Sequence, residues 1–354
     1  MWPRTDFKNL LGIEHPIVQA PMAGSATVGL AAAVSNAGGL GSMGCGEMTA
    51  AELHQTVEQL RKATDKPFNL NFMVHPEPEF NRDTDQNTWE RVKPFYDSAK
   101  ITRRPSSSSA PFSAFNKDVL EAMLELRPPV VSFHFGLPHP DSLQQIKTAG
   151  CLTMSSATTV AEARQLNSAG VDVIIAQGWE AGGHRGSFET NYEDEGIGSM
   201  ALIPQVADAV DVPVVSAGGI ADGRGIAAAF ALGASGVQMG SAFLLCPEAS
   251  ISDAHREALR NAKDSDTRLT RAYSGRPARA KNNAYVQSMA QQRGDFPGYP
   301  SMYNLSMPIH QQTSNDELKF LLYGQAAALN REKDAGKLVQ LLVDETFEIL
   351  FNPA

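Results

Sequence analysis

A (β/α)8 TIM barrel is predicted, with an insertion after the third strand and a C-terminal segment of helices that caps the site. Three observations carry this. About eight short apolar runs, each followed by a helix or a loop, fill roughly the first two-thirds of the chain, the number a barrel requires. The runs stop abruptly at polar or glycine-rich turns, as where Val173-Ile174-Ile175-Ala176-Gln177 meets Gly178 to Gly186, and apolar runs bounded by turn residues read as buried parallel strands. The last two strands exit into Gly218-Gly219 and Gly240-Ser241, the places where barrels often hold phosphate. A doubly wound sheet is the alternative, and it would leave strands over.

Composition narrows the class. The 354 residues, 42% of them hydrophobic, can bury a sizeable core without disulfides or structural metal. A net charge of -9 without a basic run argues against nucleic acid as a partner. Cys45, Cys151 and Cys246 are widely separated, which fits buried thiols in a reducing compartment rather than a disulfide framework or zinc site. Met1 to Asp6 lacks an apolar signal core, and no stretch is long enough to span a bilayer. A soluble cytoplasmic protein, monomer or homodimer, is expected.

Taken in order, Pro16 to Ala20 is a strand leading into Pro21-Met22-Ala23-Gly24, and Val28 to Asn36 is an alanine-rich helix. Leu40 to Gly44 is a second short strand. Ala50 to Ala63 has helical periodicity, with Thr49 and Glu52 offering a capping box. Phe68 to Phe72 is a third strand. From Pro76 to Phe115 prolines and a serine run break the rhythm. The reading is an insertion with helix near 88–98, either a lid or a disordered surface excursion. Strands then return at Val130 to Phe133, Cys151 to Ser155, Val173 to Gln177, Pro213 to Ala217 and Ser235 to Met239. Helices are expected over 140–149, 159–169, 200–209 and 222–232, with a polar loop from Phe188 to Gly198. Residues 1–250 therefore read as the barrel (insertion about 76–115). Residues 251–354 read as C-terminal helices near 252–262, 316–329 and 335–351, with an ordered loop or cap from Asp295 to Pro308.

In a barrel every strand exit lies on one face. These exits offer Pro21-Met22, Asn71, His134, Gln177 with His184, Gly218-Gly219 and Gly240-Ser241. Asn71 and Gln177 are amides able to donate and accept, which suits a heterocycle with mixed hydrogen-bonding groups along one edge, such as a flavin pyrimidine. The alternative is that each amide merely closes a strand end. Gly182 and Gly183 let backbone approach a ligand closely beside His184. A histidine at the barrel mouth can act as general base or hold an anion. No third ligand at sensible spacing supports a metal site. His15, His54, His255 and His310 are expected to be solvated. Cys45 follows a glycine-rich turn, without a partner pattern for a nucleophile. There is no Walker motif and no G-x-G-x-x-G before a helix.

Four stretches resemble the class I nitronate monooxygenases, formerly called 2-nitropropane dioxygenases. They are Gln19 to Gly24, Ala33 to Gly41, Val131 to Gly136 and Ala176 to Gly186, in the family's order and spanning most of the barrel. The resemblance implies an FMN-bearing barrel that oxidises alkyl nitronates with O2, propionate 3-nitronate being typical. The expected route passes through a flavin semiquinone to a carbonyl product and nitrite. By the same resemblance His184 is the active-site histidine and His134 lines the pocket. Gln177, Asn71, Pro21 and Met22 would meet the isoalloxazine, while Gly182, Gly183, Gly218, Gly219, Gly240 and Ser241 would hold the phosphoryl tail. Tyr299 and Tyr303 match tyrosines that close the site, and Gln325 belongs to a Gly-Gln element that faces the flavin. Met307 stands where the family often has lysine, which weakens attraction for a carboxylated nitronate.

Two rival functions remain at this point. One is an NAD(P)H-dependent FMN quinone or enoyl-thioester reductase, which carries a similar Ala-Gly-Gly-His turn. The other is a catalytically silent flavin-binding protein.

Overall fold

The computed structural model describes residues 1–188, 196–292 and 294–351. Most of the polar loop expected from Phe188 to Gly198 lies outside them. Eight parallel strands form the central sheet: β1 (Ile17–Gln19), β2 (Gly41–Gly44), β3 (Phe68–Met73), β4 (Val130–His134), β5 (Leu152–Ala157), β6 (Val173–Gln177), β7 (Val214–Ala217) and β8 (Gly236–Met239). Neighbours in sequence pair in parallel register, β8 pairs with β1, and a parallel bridge from Val18 to Leu40 joins β1 to β2. The sheet is thus closed, and all strand exits share one face.

Alternation along each strand sorts the side chains. Ile174, Ala176, Val237 and Met239 point outward to the helices. Val18, Leu40, Val130, Met154, Val173, Ile175, Val215 and Ala217 fill the barrel interior. The helix Asp6–Leu11, which the sequence reading passed over, adds Phe7 and Leu11 to that interior core. Higher in the barrel the inward positions turn polar. Asn69 Nδ2 donates to Ser42 Oγ (3.1 Å) and Ser132 Oγ (2.9 Å), and Asn71 Nδ2 donates to the same Ser132 Oγ (2.9 Å). The lower barrel is a packed core, and the upper barrel is the floor of a site.

Helix ends follow the expected chemistry. Thr49 and Glu52 form the capping box that starts Ala50–Ala63. Asp222 accepts from the backbone N–H groups of Arg224 and Gly225 at the start of Gly223–Ala231. The segment 76–115 is an ordered part of the structure. Its helix begins at Arg82, capped by Asn81, and runs to Ser98. The buried Asp85 carboxylate binds Arg104 (2.8 Å) and the Ser107 N–H (3.0 Å), which draws the serine run inward. A helix that follows the insertion, Lys117–Leu126, supplies the β3–β4 crossover.

The chain after 250 contributes to two cores. Ala335–Phe351 packs with the barrel helices through Leu338, Leu342 and Val343. The stretch before it joins the insertion instead: Val92 and Tyr96 pack with Tyr273, Tyr285, Leu305 and Ile309, and the Tyr96 hydroxyl donates to Leu305 O (2.9 Å). The expected loop or cap at 295–308 becomes helical from Met302 and continues through Pro308 to Gln312. Histidines expected to be solvated divide. His54 is exposed, whereas His255 and His310 are buried and hydrogen-bond to the carbonyls of Leu322 and Leu318. Their neighbours in sequence, Arg256-Glu257 after His255 and Gln311-Gln312 after His310, gave no sign that the C-terminal segment covers them.

Candidate active site

Strand β6 delivers Gln177 to the barrel mouth, and its amide organises the turn that follows. Gln177 Nε2 donates to His184 O (3.0 Å), and its Oε1 accepts from Gly186 N–H (2.8 Å). The buried Arg185 donates back to Gly178 O (2.6 Å) and lies against Trp179, and desolvation lowers its pKa to about 10. Gly183–His184 is also a short strand, paired antiparallel with Ala278–Lys281, which pairs in turn with Thr267–Thr270. A turn in the sequence reading, this stretch is therefore clamped from the C-terminal segment. That pairing joins residues almost a hundred positions apart and has no local signature.

His184 Nε2 lies 2.8 Å from Ser274 Oγ, and Nδ1 has no hydrogen-bond partner among the described residues. The ring stands edge-on to Phe135 (5.8 Å between centroids), Tyr299 (5.5 Å) and Tyr303 (6.4 Å). Burial, helped by neighbouring His134 and Arg276, pushes the His184 pKa down to about 3. His134 is engaged at both nitrogens. Its Nε2 meets His184 O (3.1 Å) and therefore carries the proton, so Nδ1 accepts from Ser156 Oγ–H (2.6 Å). Desolvation lowers its pKa to about 4. Both imidazoles are neutral at physiological pH, and only His184 keeps a nitrogen for a ligand.

Aromatic side chains wall the imidazole in. Phe135, at φ 72°, packs with Tyr299 and Tyr303, and Met73, Phe112, Met307 and Phe320 close around them. Burial raises both tyrosine pKa values, so the phenols stay protonated donors. Arg276 stacks 3.9 Å over Phe135 and donates to Ser187 O. Phe135 lay inside a recognised motif. Ser274 and Arg276 were missed, because Ser274-Gly275-Arg276-Pro277 reads locally as an ordinary turn.

The remaining expected residues surround the mouth. Gly240 places its missing Cβ 3.5 Å from Ala20 Cβ and 3.9 Å from Met22 Sδ, which brings the β1 and β8 exits together. Gly218, at φ 104°, abuts Ala181, and Gly182 abuts the Tyr323–Gly324 backbone. Gln325 N–H donates to Glu180 O (3.0 Å), and Ser241 Oγ accepts from Gly324 N–H (2.8 Å) while its own proton stays available. The helix after Gly218-Gly219 is capped by Asp222, so that helix end does not offer its N–H groups to an anion. The short helix Ser241–Leu244 after β8 is the open one. In the floor, Asn69 Oδ1 and Gln238 Oε1 are buried acceptors without a partner. Such orphaned acceptors cost free energy, and a heterocycle with an N–H edge would offer a donor at Gln238, the less buried of the two. The residues present fit a flavin. Cys45 is buried with its pKa raised to about 12, so it is no nucleophile.

Comparison with known proteins now decides the family. The family model described as nitronate monooxygenase matches residues 4–345. The chain belongs to the nitronate monooxygenase family. It is 42% identical over 342 residues to a nitronate monooxygenase of Paraburkholderia phytofirmans, covering 95% of this chain and 93% of the relative. Among solved structures, the nitroalkane oxidase of Streptomyces ansochromogenes superposes with a TM-score of 0.90 at 36% identity, covering 98% of this chain and 99% of that one. FabK from Thermotoga maritima superposes at 0.76 with 30% identity, covering 99% and 98%. This nitronate monooxygenase family member is accordingly a flavin-dependent oxidoreductase with small-molecule substrates. Among the described residues no helix is long and apolar enough to cross a membrane.

Proposed function

We propose that the enzyme binds FMN and uses it to oxidise alkyl nitronates with O2, giving a carbonyl product and nitrite. The observation that carries this reading is His184. It is a neutral imidazole with one nitrogen held by Ser274 and the other free, enclosed by Phe135, Tyr299 and Tyr303. Gln238, Asn69 and Asn71 would meet the ring edge, with Pro21 and Met22 beside it. Gly218, Gly219, Gly240 and Ser241 would take the phosphate. Bound flavin supplies the electron acceptor, and the protein supplies orientation and electrostatics.

Ser274 Oγ has two acceptors in reach, His184 Nε2 at 2.8 Å and Arg276 O at 3.2 Å. Donating to Nε2, the hydroxyl leaves Nδ1 protonated and able to hydrogen-bond a nitronate oxygen. Turned to Arg276 O, it leaves Nδ1 as a base for a neutral nitroalkane. A pKa of about 3 makes that base weak, so the preformed nitronate is the better substrate. Gln177 and His134 hold the His184 carbonyl and act as positioning residues. The aromatic wall excludes water from the bound anion.

The test is oxygen uptake by the flavin-loaded enzyme with ethyl nitronate or propionate 3-nitronate and no NAD(P)H. Uptake with nitrite release supports the reading. No uptake, together with rapid anaerobic bleaching of the flavin by NADH, would overturn it in favour of a reductase.

A further inference from the structure

Beside the barrel mouth the loop after β2, the end of β3, the end of the insertion and the start of helix Lys117–Leu126 line an open cavity of about 510 Å³. That is within the usual range for a small-molecule site, roughly 300–1,000 Å³. Its wall includes Met48, Phe72, Met73 and Phe112, together with the carboxyl residues Glu47 and Asp118, and no lysine or arginine. Met73 and Phe112 belong to two places at once. They line the cavity, and they also pack against the Phe135–Tyr299–Tyr303 wall, with Phe112 6.0 Å from the Tyr299 ring and 6.1 Å from Tyr303. Met73 and Phe112 thus connect this space to the wall around His184, and the Tyr299 hydroxyl donates to Met73 Sδ (2.7 Å). Met307 extends the apolar lining on the other side of the same tyrosines.

We infer that this cavity is the pocket for the substrate's alkyl chain, entered past Met73 and Phe112, and that it selects longer neutral alkyl nitronates over carboxylated ones. The inference rests on the nitronate reading above and extends it to the substrate's tail. A nitronate held at His184 would lie beside Tyr299, whose ring is 5.5 Å from the imidazole, and Met48, Phe72, Met73 and Phe112 give the cavity an apolar side next to that point. A chain ending in carboxylate would there meet Asp118 and Glu47, whose pKa burial already pushes up, with no lysine or arginine in the lining to balance its charge. Glu47 also raises the pKa of both tyrosines, which places its charge within electrostatic reach of the wall.

The experiment measures kcat/KM of the flavin-loaded enzyme for straight-chain nitronates from ethyl to octyl, and for propionate 3-nitronate. Each methylene should raise kcat/KM about threefold, mainly through KM, until the cavity is full. Propionate 3-nitronate should fall at least tenfold below butyl nitronate. Ala114→Trp, which fills the cavity from the insertion, should flatten the series and leave ethyl nitronate unchanged. Met307→Lys should raise kcat/KM for propionate 3-nitronate about tenfold. A flat series in the unmodified enzyme, or equal use of propionate and butyl nitronates, would overturn the inference and leave the proposed function standing. Should no nitronate be consumed, the proposed function fails and calorimetric binding decides the cavity separately. Tighter binding of 1-nitrohexane than nitroethane, lost in Ala114→Trp, supports the pocket, and equal binding overturns it.

Discussion

Ser274 and His184 form one working unit, so a change at either should be read through the other. Removing the hydroxyl by Ser274→Ala deletes one hydrogen bond from a buried imidazole, about 1 kcal/mol. We expect kcat/KM for ethyl nitronate to fall about fivefold, measured by initial rates of oxygen uptake, with KM for the nitronate rising. His184→Asn keeps an N–H donor but removes the base. Turnover of neutral nitroalkanes should drop by about a hundredfold or more, while preformed nitronates lose much less; equal rates on both substrate forms in the variant and the parent would refute a role for His184. Because burial, His134 and Arg276 hold the His184 pKa near 3, the imidazole does not titrate near its ordinary value of 6.5. Hence kcat/KM for a preformed nitronate should be flat from about pH 5 to 8. An inflection near 6.5 that disappears in His184→Asn would contradict this.

Among the elements, the loop from Gln177 to Gly186 depends on contacts from four directions. Gln177 holds it from β6, Arg279 donates to Trp179 O (2.8 Å) from the C-terminal sheet, and Glu180 accepts from Ser199 N–H (2.9 Å). Gly324 presses on Gly182 from above. A Cβ at Gly182 would stand 2.5 Å from Gly324 N and from Tyr323 C, both of them backbone atoms. Gly182→Ala should therefore push the Gly324–Gln325 strap outward and cost about 1–3 kcal/mol. The expected results are a lower Tm and faster loss of flavin on dilution, followed by flavin fluorescence. The eight strands and most of their helices were legible beforehand, because each buries a continuous apolar run between turn residues. The insertion was legible as a break in rhythm. Its order was not, since Asp85 earns its place by binding Arg104 and Ser107, some twenty residues away.

Over the whole molecule, histidines whose pKa burial lowers make stability depend on pH, His15 and His75 among them. Desolvation lowers His134, His255 and His310 to about 4 and His184 to about 3. In the unfolded chain each returns to about 6.5. Between about pH 4 and 6.5 the unfolded state therefore binds more protons, so stability rises with pH through this window and falls on acidification. Each histidine contributes up to about 1.4 kcal/mol per pH unit. Urea unfolding at pH 7.5, 6 and 5 should show a steep loss between the last two. His310→Gln should reduce that slope, and an unchanged slope would show that His310 titrates normally in the folded protein.

Local pattern determined the barrel and its strand exits, and it set Gln177, His184 and the glycine turns at those exits, because these depend on periodicity and backbone freedom within a few residues. The tertiary structure decided which nitrogen of His184 is free, since Ser274 lies ninety positions away in a turn without a signature. It also decided that His134 is occupied at both ring nitrogens, and that His255 and His310 are buried under the C-terminal segment. Met307 was visible as a departure, but only packing shows that it joins Tyr299, Tyr303 and Phe112 in one apolar wall. Periodicity determines which face of a strand or helix is buried; which distant side chain meets that face depends on how the cap closes over the barrel, and no short stretch of sequence encodes that.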